Sequence, residues 1–194
     1  EDAAGAGDLV LHHVGRRGAE DRDDGDRTDH SLKRKGRVFM PQMNKGGKFI
    51  FGESVIRPDG RVQLPPQAVD EYRIASEGKA YLFTGSKITG GFCVTRQGLL
   101  LPSKLGHILT ETPVLLHYEV PDGAFVPYKG RSYCWTAVSA SGKITLTKEM
   151  MAFLHLEPEM RLLSIRSSNI AFTMGAKGPL WDKAVHYDGG IPLF

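Results

Sequence analysis

The chain has 194 residues, 41% of them hydrophobic and without a long apolar run, enough for one or two domains with a core and too little for a transmembrane helix. Lys and Arg number 25 against 22 Asp and Glu, a net charge of +3 that is compatible with a polyanion partner without demanding one. Its two cysteines, Cys93 and Cys134, lack the paired spacing of a zinc site and read as two reduced, partly buried thiols.

Residues 1–46 stand apart from the rest. They are rich in Gly, Asp and Arg, have no aromatic residue before Phe39 and show no strand or helix period after Leu9-Val10-Leu11. Residues 1–42 carry eight Lys/Arg and nine Asp/Glu, which leaves 17 basic and 13 acidic residues, a net +4, in the remainder. Two expectations fit this segment: a disordered extension, or non-native upstream sequence read through from a misassigned start. Met40 and Met43 stand just before the ordered pattern begins, and Lys33-Arg34-Lys35-Gly36-Arg37 can be encoded by a purine-rich tract of the sort that precedes bacterial start codons. The opening Glu1-Asp2 is not a secretory signal, and the protein reads as cytoplasmic.

A first unit spans 47–94. It predicts a strand over Val55–Leu64 broken by a Pro58-Asp59-Gly60 turn, where Asp-Gly supplies positive φ. A short helix follows Pro65-Pro66, with Ala68, Val69 and Tyr72 on its apolar face. Strands are expected over Lys79–Phe83 and Lys87–Val94, with a turn at Gly85-Ser86. Residues 95–131 have no counterpart elsewhere and read as an ordered insert: a short strand at Leu99–Pro102, a helix capped by Ser103, a strand over Pro113–Val120 and a turn at Tyr128–Arg131. The second unit, 132–177, has a strand ending at Leu146, a helix capped by Thr147 with Met150, Met151 and Leu154 on its apolar face, and strands over Leu162–Arg166 and Ile170–Met174. The tail, 178–194, predicts a helix at Trp181–Val185 and a frayed end.

The two units repeat each other. With a constant offset of 82, Val55–Leu64 lies over Ala137–Leu146, and the match continues through Val69 over Met151, Tyr72 over Leu154, Ile74 over Leu156 and Lys79 over Arg161. A unit too small to bury its own apolar face can bury it against a copy, so an internal pseudo-dimer is expected.

The segments Gly60-Arg61-Val62-Gln63-Leu64-Pro65 and Gly142-Lys143-Ile144-Thr145-Leu146-Thr147, each followed by a short helix, a turn and two strands, resemble the AbrB/SpoVT swapped-hairpin family. The resemblance covers about 35 residues of each half. It implies a mainly β fold with short helices, in which tandem swapped-hairpin units form a small β-barrel beside the insert. It further implies a transcriptional regulator that binds double-stranded DNA, working as an intrachain pseudo-dimer or a homodimer, with Arg57, Arg61 and Lys143 as contacts to phosphates or base edges. The helix positions Val69-Asp70 and Met151-Ala152 depart from the basic residues that DNA-binding members often carry there, and the Asp-x-x-x-Arg motif of the tandem MraZ-type regulators is missing from both halves. The motif's absence leaves that subfamily unassigned, while the missing basic helix residues and the modest +4 favour the alternative, a protein or ligand interaction module that keeps the barrel and works through the insert. Cys93, His107, His117 and Cys134 fit no nucleophile or metal motif, so neither an enzyme, a metal nor a cofactor is expected.

Overall fold

The computed structural model describes residues 48–194. The expected extension over 1–46 lies outside the described residues. The chain is mainly β with short helices. Strand β1 (Ile50–Val55) turns into β2 (Arg61–Gln63), followed by helix α1 (Pro66–Tyr72), a 3-10 turn (Ile74–Glu77), β3 (Lys79–Thr84) and β4 (Phe92–Thr95). The insert supplies α2 (Gln97–Leu100), α3 (His107–Thr110), α4 (Pro113–Leu116) and β5 (Val126–Tyr128). Then come β6 (Arg131–Ala137), β7 (Lys143–Thr145), α5 (Lys148–Leu154), β8 (Arg161–Arg166), β9 (Phe172–Gly175) and α6 (Pro179–Val185).

Seven strands form one antiparallel sheet in the order β1-β8-β9-β4-β3-β6-β5, while β2 and β7 pair separately as a two-stranded ribbon. The large sheet is open, with β1 and β5 at its ends. Without β5, the order is unchanged when each element is exchanged for its equivalent in the other unit. The first strand of each unit pairs with the third strand of the other, as β1 with β8 and β6 with β3. The loops obey the same exchange: Leu64 N–H donates to Gly142 O at 3.0 Å and Leu146 N–H to Gly60 O at 2.9 Å. Likewise Ile56 N–H donates to Met160 O and Val138 N–H to Gly78 O, both at 3.0 Å.

Both hairpin turns close on a glycine in the left-handed region, Gly60 at φ 80° and Gly142 at φ 77°, a conformation that costs other residues a steric penalty. The helices start differently. Pro66 occupies the first turn of α1, where its missing N–H costs nothing, whereas the Thr147 hydroxyl accepts the Met150 amide at 3.1 Å to cap α5. Both end on a left-handed residue, Arg73 and His155.

The main core lies between the inner face of the sheet, the ribbon and the helices α1 and α5. Phe51, Ile56, Leu64, Leu82, Ile144, Leu146, Phe92 and Phe172 are buried there. Two smaller clusters cover the flanks of the outer face. Leu100, Ile108, Leu109 and Leu115 of the insert pack on Tyr81 and Tyr133, and α6 sets Ala184 against Ile50, Leu163 and Ile165.

Four local expectations are corrected. The strand expected from Lys87 begins at Phe92, because 86–90 form a turn in which Gly90 N–H donates to Ser86 O at 2.8 Å. The strand expected at Leu99–Pro102 is helical from Gln97, since the Glu77 carboxylate accepts the amides of Gln97 and Gly98 at 3.0 and 2.9 Å and satisfies the first turn of α2. Pro113 opens a helix in place of the strand expected over Pro113–Val120, with Leu115 as its buried anchor. The C-terminal end is not frayed: Pro192–Phe194 lies along β1, with Glu53 N–H donating to Pro192 O, Phe194 N–H to Glu53 O and Val55 N–H to Phe194 O at 2.8 to 3.1 Å.

Candidate nucleic-acid interface

The ribbon pairs Arg61 with Thr145, Val62 with Ile144 and Gln63 with Lys143. Side chains alternate across a strand, so the burial of Val62 and Ile144 in the core forces Arg61, Gln63, Lys143 and Thr145 onto the opposite face. Arg57 joins them from the turn, where its N–H donates to Arg61 O at 2.8 Å. All three residues singled out from the sequence therefore line one open groove of about 620 Å³, together with Pro58, Asp59, Gln63 and Phe194.

The groove is not uniformly basic. Asp59 Oδ2 accepts from Arg61 Nε at 2.6 Å and Oδ1 accepts the Arg61 amide at 3.1 Å. These bonds, the amide first, hold the Asp59 carboxyl below its ordinary range. Both side chains are solvent-exposed, so the pair contributes little to stability, but it sets the direction of the guanidinium. In the second arm the corresponding turn has Ser139 and Ser141, whose hydroxyls lie 3.0 Å apart, and Ser139 Oγ accepts the Lys143 amide at 3.0 Å. Among the described residues neither Arg57 nor Lys143 has a carboxylate within salt-bridge distance.

Gln63 and Thr145 share the exposed face and were not singled out from the sequence. The period of 2 around Val62 and Ile144 was the signal that could have found them. The Gln63 amide is committed to the ribbon itself, donating to Leu64 O at 2.9 Å and Ser141 O at 2.8 Å.

No family model matches this chain. No curated protein matches it either.

The remaining chemistry-bearing residues are dispersed. Cys93 and Cys134 are buried free thiols. Burial pushes the Cys134 thiol up to about 12 and raises that of Cys93, so neither is poised as a thiolate. His107 sits in α3 with Nδ1 3.0 Å from Lys104 O, and His117 follows α4. Among the described residues no group of three or more His, Cys, Asp or Glu could hold a metal ion. The aromatic side chains near the insert are structural. Tyr118 stacks on Tyr81 with ring centroids 5.5 Å apart, Trp135 Nε1 donates to Val120 O at 2.8 Å, and Lys79 Nζ lies 4.4 Å from the Tyr118 ring centroid. No helix among the described residues is long and apolar enough to cross a membrane.

Proposed function

We propose that this chain is a cytoplasmic, DNA-binding transcriptional regulator of the AbrB/SpoVT type, in which tandem swapped-hairpin units in one chain supply both arms of a pseudo-dimer. The observation that carries the reading is the convergence of Arg57, Arg61 and Lys143 on the exposed groove of the β2·β7 ribbon. A two-stranded β-ribbon fits the major groove, where Arg can meet guanine O6 and N7 in bidentate fashion and Lys can meet phosphate or a single acceptor. On this reading Arg61 supplies direct readout, and Lys143 and Arg57 supply charge to the backbone. Asp59 tempers the arm by holding Arg61 until a stronger acceptor replaces it.

The test is titration of the full chain with labelled duplex from its own upstream region, against random-sequence competitor, at several salt concentrations. Affinity falls as salt rises, and Lys143→Ala reduces the slope of log affinity against log salt by about 1. Arg61→Ala weakens binding and narrows the preference for the upstream sequence. A folded protein that binds no duplex at low salt overturns the reading.

One observation favours the alternative of an interaction module without DNA: the groove's central cation is already paired to Asp59. That alternative predicts that Asp59→Asn leaves DNA binding absent, whereas the regulator reading predicts that it tightens binding several-fold.

A further inference from the structure

The outer face of the seven-stranded sheet is covered on both flanks but not along its middle. The insert packs over Tyr81 and Tyr133 on one side, and α6 packs over Leu163 and Ile165 on the other. Between them run β4 and β9. These strands turn Phe92, Val94, Phe172 and Met174 into the main core, so the alternating residues Cys93 and Thr173, directly paired in register, face outward. The result is a cleft of about 290 Å³ on the side of the sheet opposite the ribbon.

The chemistry of this cleft is one-sided. Its lining contains two cations, Lys48 and Arg131, five Ser or Thr hydroxyls and the Cys93 thiol, but no carboxylate. Neither cation has an acidic partner within salt-bridge distance among the described residues. The Arg131 guanidinium lies 5.6 Å from the Phe83 ring centroid, within reach of a cation–π contact with the apolar wall. At the floor Thr173 Oγ1 is 3.3 Å from Cys93 Sγ and hydrogen-bonded to the Ser167 hydroxyl, and at the rim the Ser86 and Thr89 hydroxyls are 2.9 Å apart. Rotatable hydroxyls beside an unpaired guanidinium and an ammonium are the donor set that an oxyanion takes, while Phe83, Leu105 and Ile170 leave room for an apolar body.

We infer that this cleft binds a small organic oxyanion, its phosphate or carboxylate held by Arg131, Lys48 and the surrounding hydroxyls and its apolar portion against Phe83 and Ile170. The inference does not rest on the DNA-binding reading, because the cleft and the ribbon share no residue.

Cys93 provides the readout. It lines the cleft, whereas Cys134 is fully buried in the core, so slow alkylation of the folded full chain followed by peptide mapping reports the cleft at Cys93. Phenyl phosphate, benzoate and inorganic phosphate are the probes, with benzyl alcohol as the uncharged control. The expected result is saturable slowing of Cys93 alkylation by at least one aromatic anion at millimolar concentration, with phenyl phosphate and benzoate distinguishing phosphoryl from carboxylate recognition. Arg131→Gln should raise the concentration needed by about tenfold without changing the thermal midpoint, and Arg131→Lys should recover part of the loss. Lys48→Gln, at an exposed side chain, gives the same direction if Arg131→Gln does not fold. Protection by benzyl alcohol equal to that of the anions, protection by anions undiminished in both variants, or no protection by any anion would each overturn the inference.

Discussion

The two hairpin arms share a backbone and differ in chemistry. Gly60 and Gly142 adopt nearly the same φ, 80° and 77°, and each arm closes with the same pair of backbone bonds: Gly60 N–H to Arg57 O and Arg57 N–H to Arg61 O, both at 2.8 Å, and Gly142 N–H to Ser139 O and Ser139 N–H to Lys143 O, both at 2.9 Å. Along one arm run Arg57, Asp59 and Arg61; along the other, Ser139, Ser141 and Lys143. The shared geometry comes from residues that meet the core and the turn, which stay apolar or glycine in both arms, and the difference in polarity and charge lies in side chains that meet solvent. A duplicated unit can thus hold its shape while its exposed face diverges, which is why stability and binding are separable by mutation here.

The largest effects should be symmetric. Leu64→Ala and Leu146→Ala each remove a side chain buried in the common core, and each should lower unfolding free energy by about 2 to 5 kcal/mol in chemical denaturation. A large disparity between them would break the equivalence of the halves. The turns should differ more. A Cβ at Gly60 would stand 2.1 Å from the backbone oxygen of Leu146, while at Gly142 it would meet a methyl of Val69 at 2.5 Å. Gly60→Ala should therefore cost about 3 kcal/mol and Gly142→Ala about 2 kcal/mol, since a side chain yields more readily than backbone.

Smaller effects sharpen the comparison. The Tyr72 hydroxyl donates to Ser168 O at 2.6 Å and burial pushes its pKa from 10 up to about 12, while its equivalent in the other half is Leu154. Below pH 10 Tyr72 is neutral in both folded and unfolded chains and its contribution is complete; between pH 10 and about 12 the unfolded chain ionises first and that contribution is lost. Tyr72→Phe should cost about 1 kcal/mol at neutral pH and flatten the fall in stability over that alkaline window. Thr147→Ala should cost about 1 kcal/mol by uncapping α5, and α1 has no side-chain cap to lose. Asp59→Asn should leave the melting midpoint unchanged, because the carboxylate is exposed.

Much of this arrangement was legible in the sequence because it depends on spacing. The offset of 82 maps β2 onto β7, α1 onto α5 and β3 onto β8 residue for residue. It shifts to 80 at β4 and β9, because the preceding loop is two residues longer in the first half. Arg61 and Lys143 were singled out through the resemblance to the swapped-hairpin family, and the alternation around Val62 and Ile144, also present in the sequence, would have put them on an exposed face independently. The insert was not readable in detail. Leu99-Leu100-Leu101 and Val114-Leu115-Leu116 are too short to distinguish strand from helix by periodicity, and the decision falls to partners distant in sequence, such as Glu77 at the start of α2. Nor could the sequence indicate that Cys93 and Thr173 share the floor of a cleft, because their meeting requires the register of β4 on β9.

The exchange of first strands between the halves has a consequence for the newly made chain. Strand β1, at residues 50–55, finds its partners only in residues 161–166 and 192–194, so more than half the described chain must leave the ribosome before either of its edges is paired. Until then β3 and β4 can form a hairpin, but the apolar residues of β1 remain uncovered. The first unit therefore emerges as a half-reaction, completed late and in one cooperative step by its own sequel.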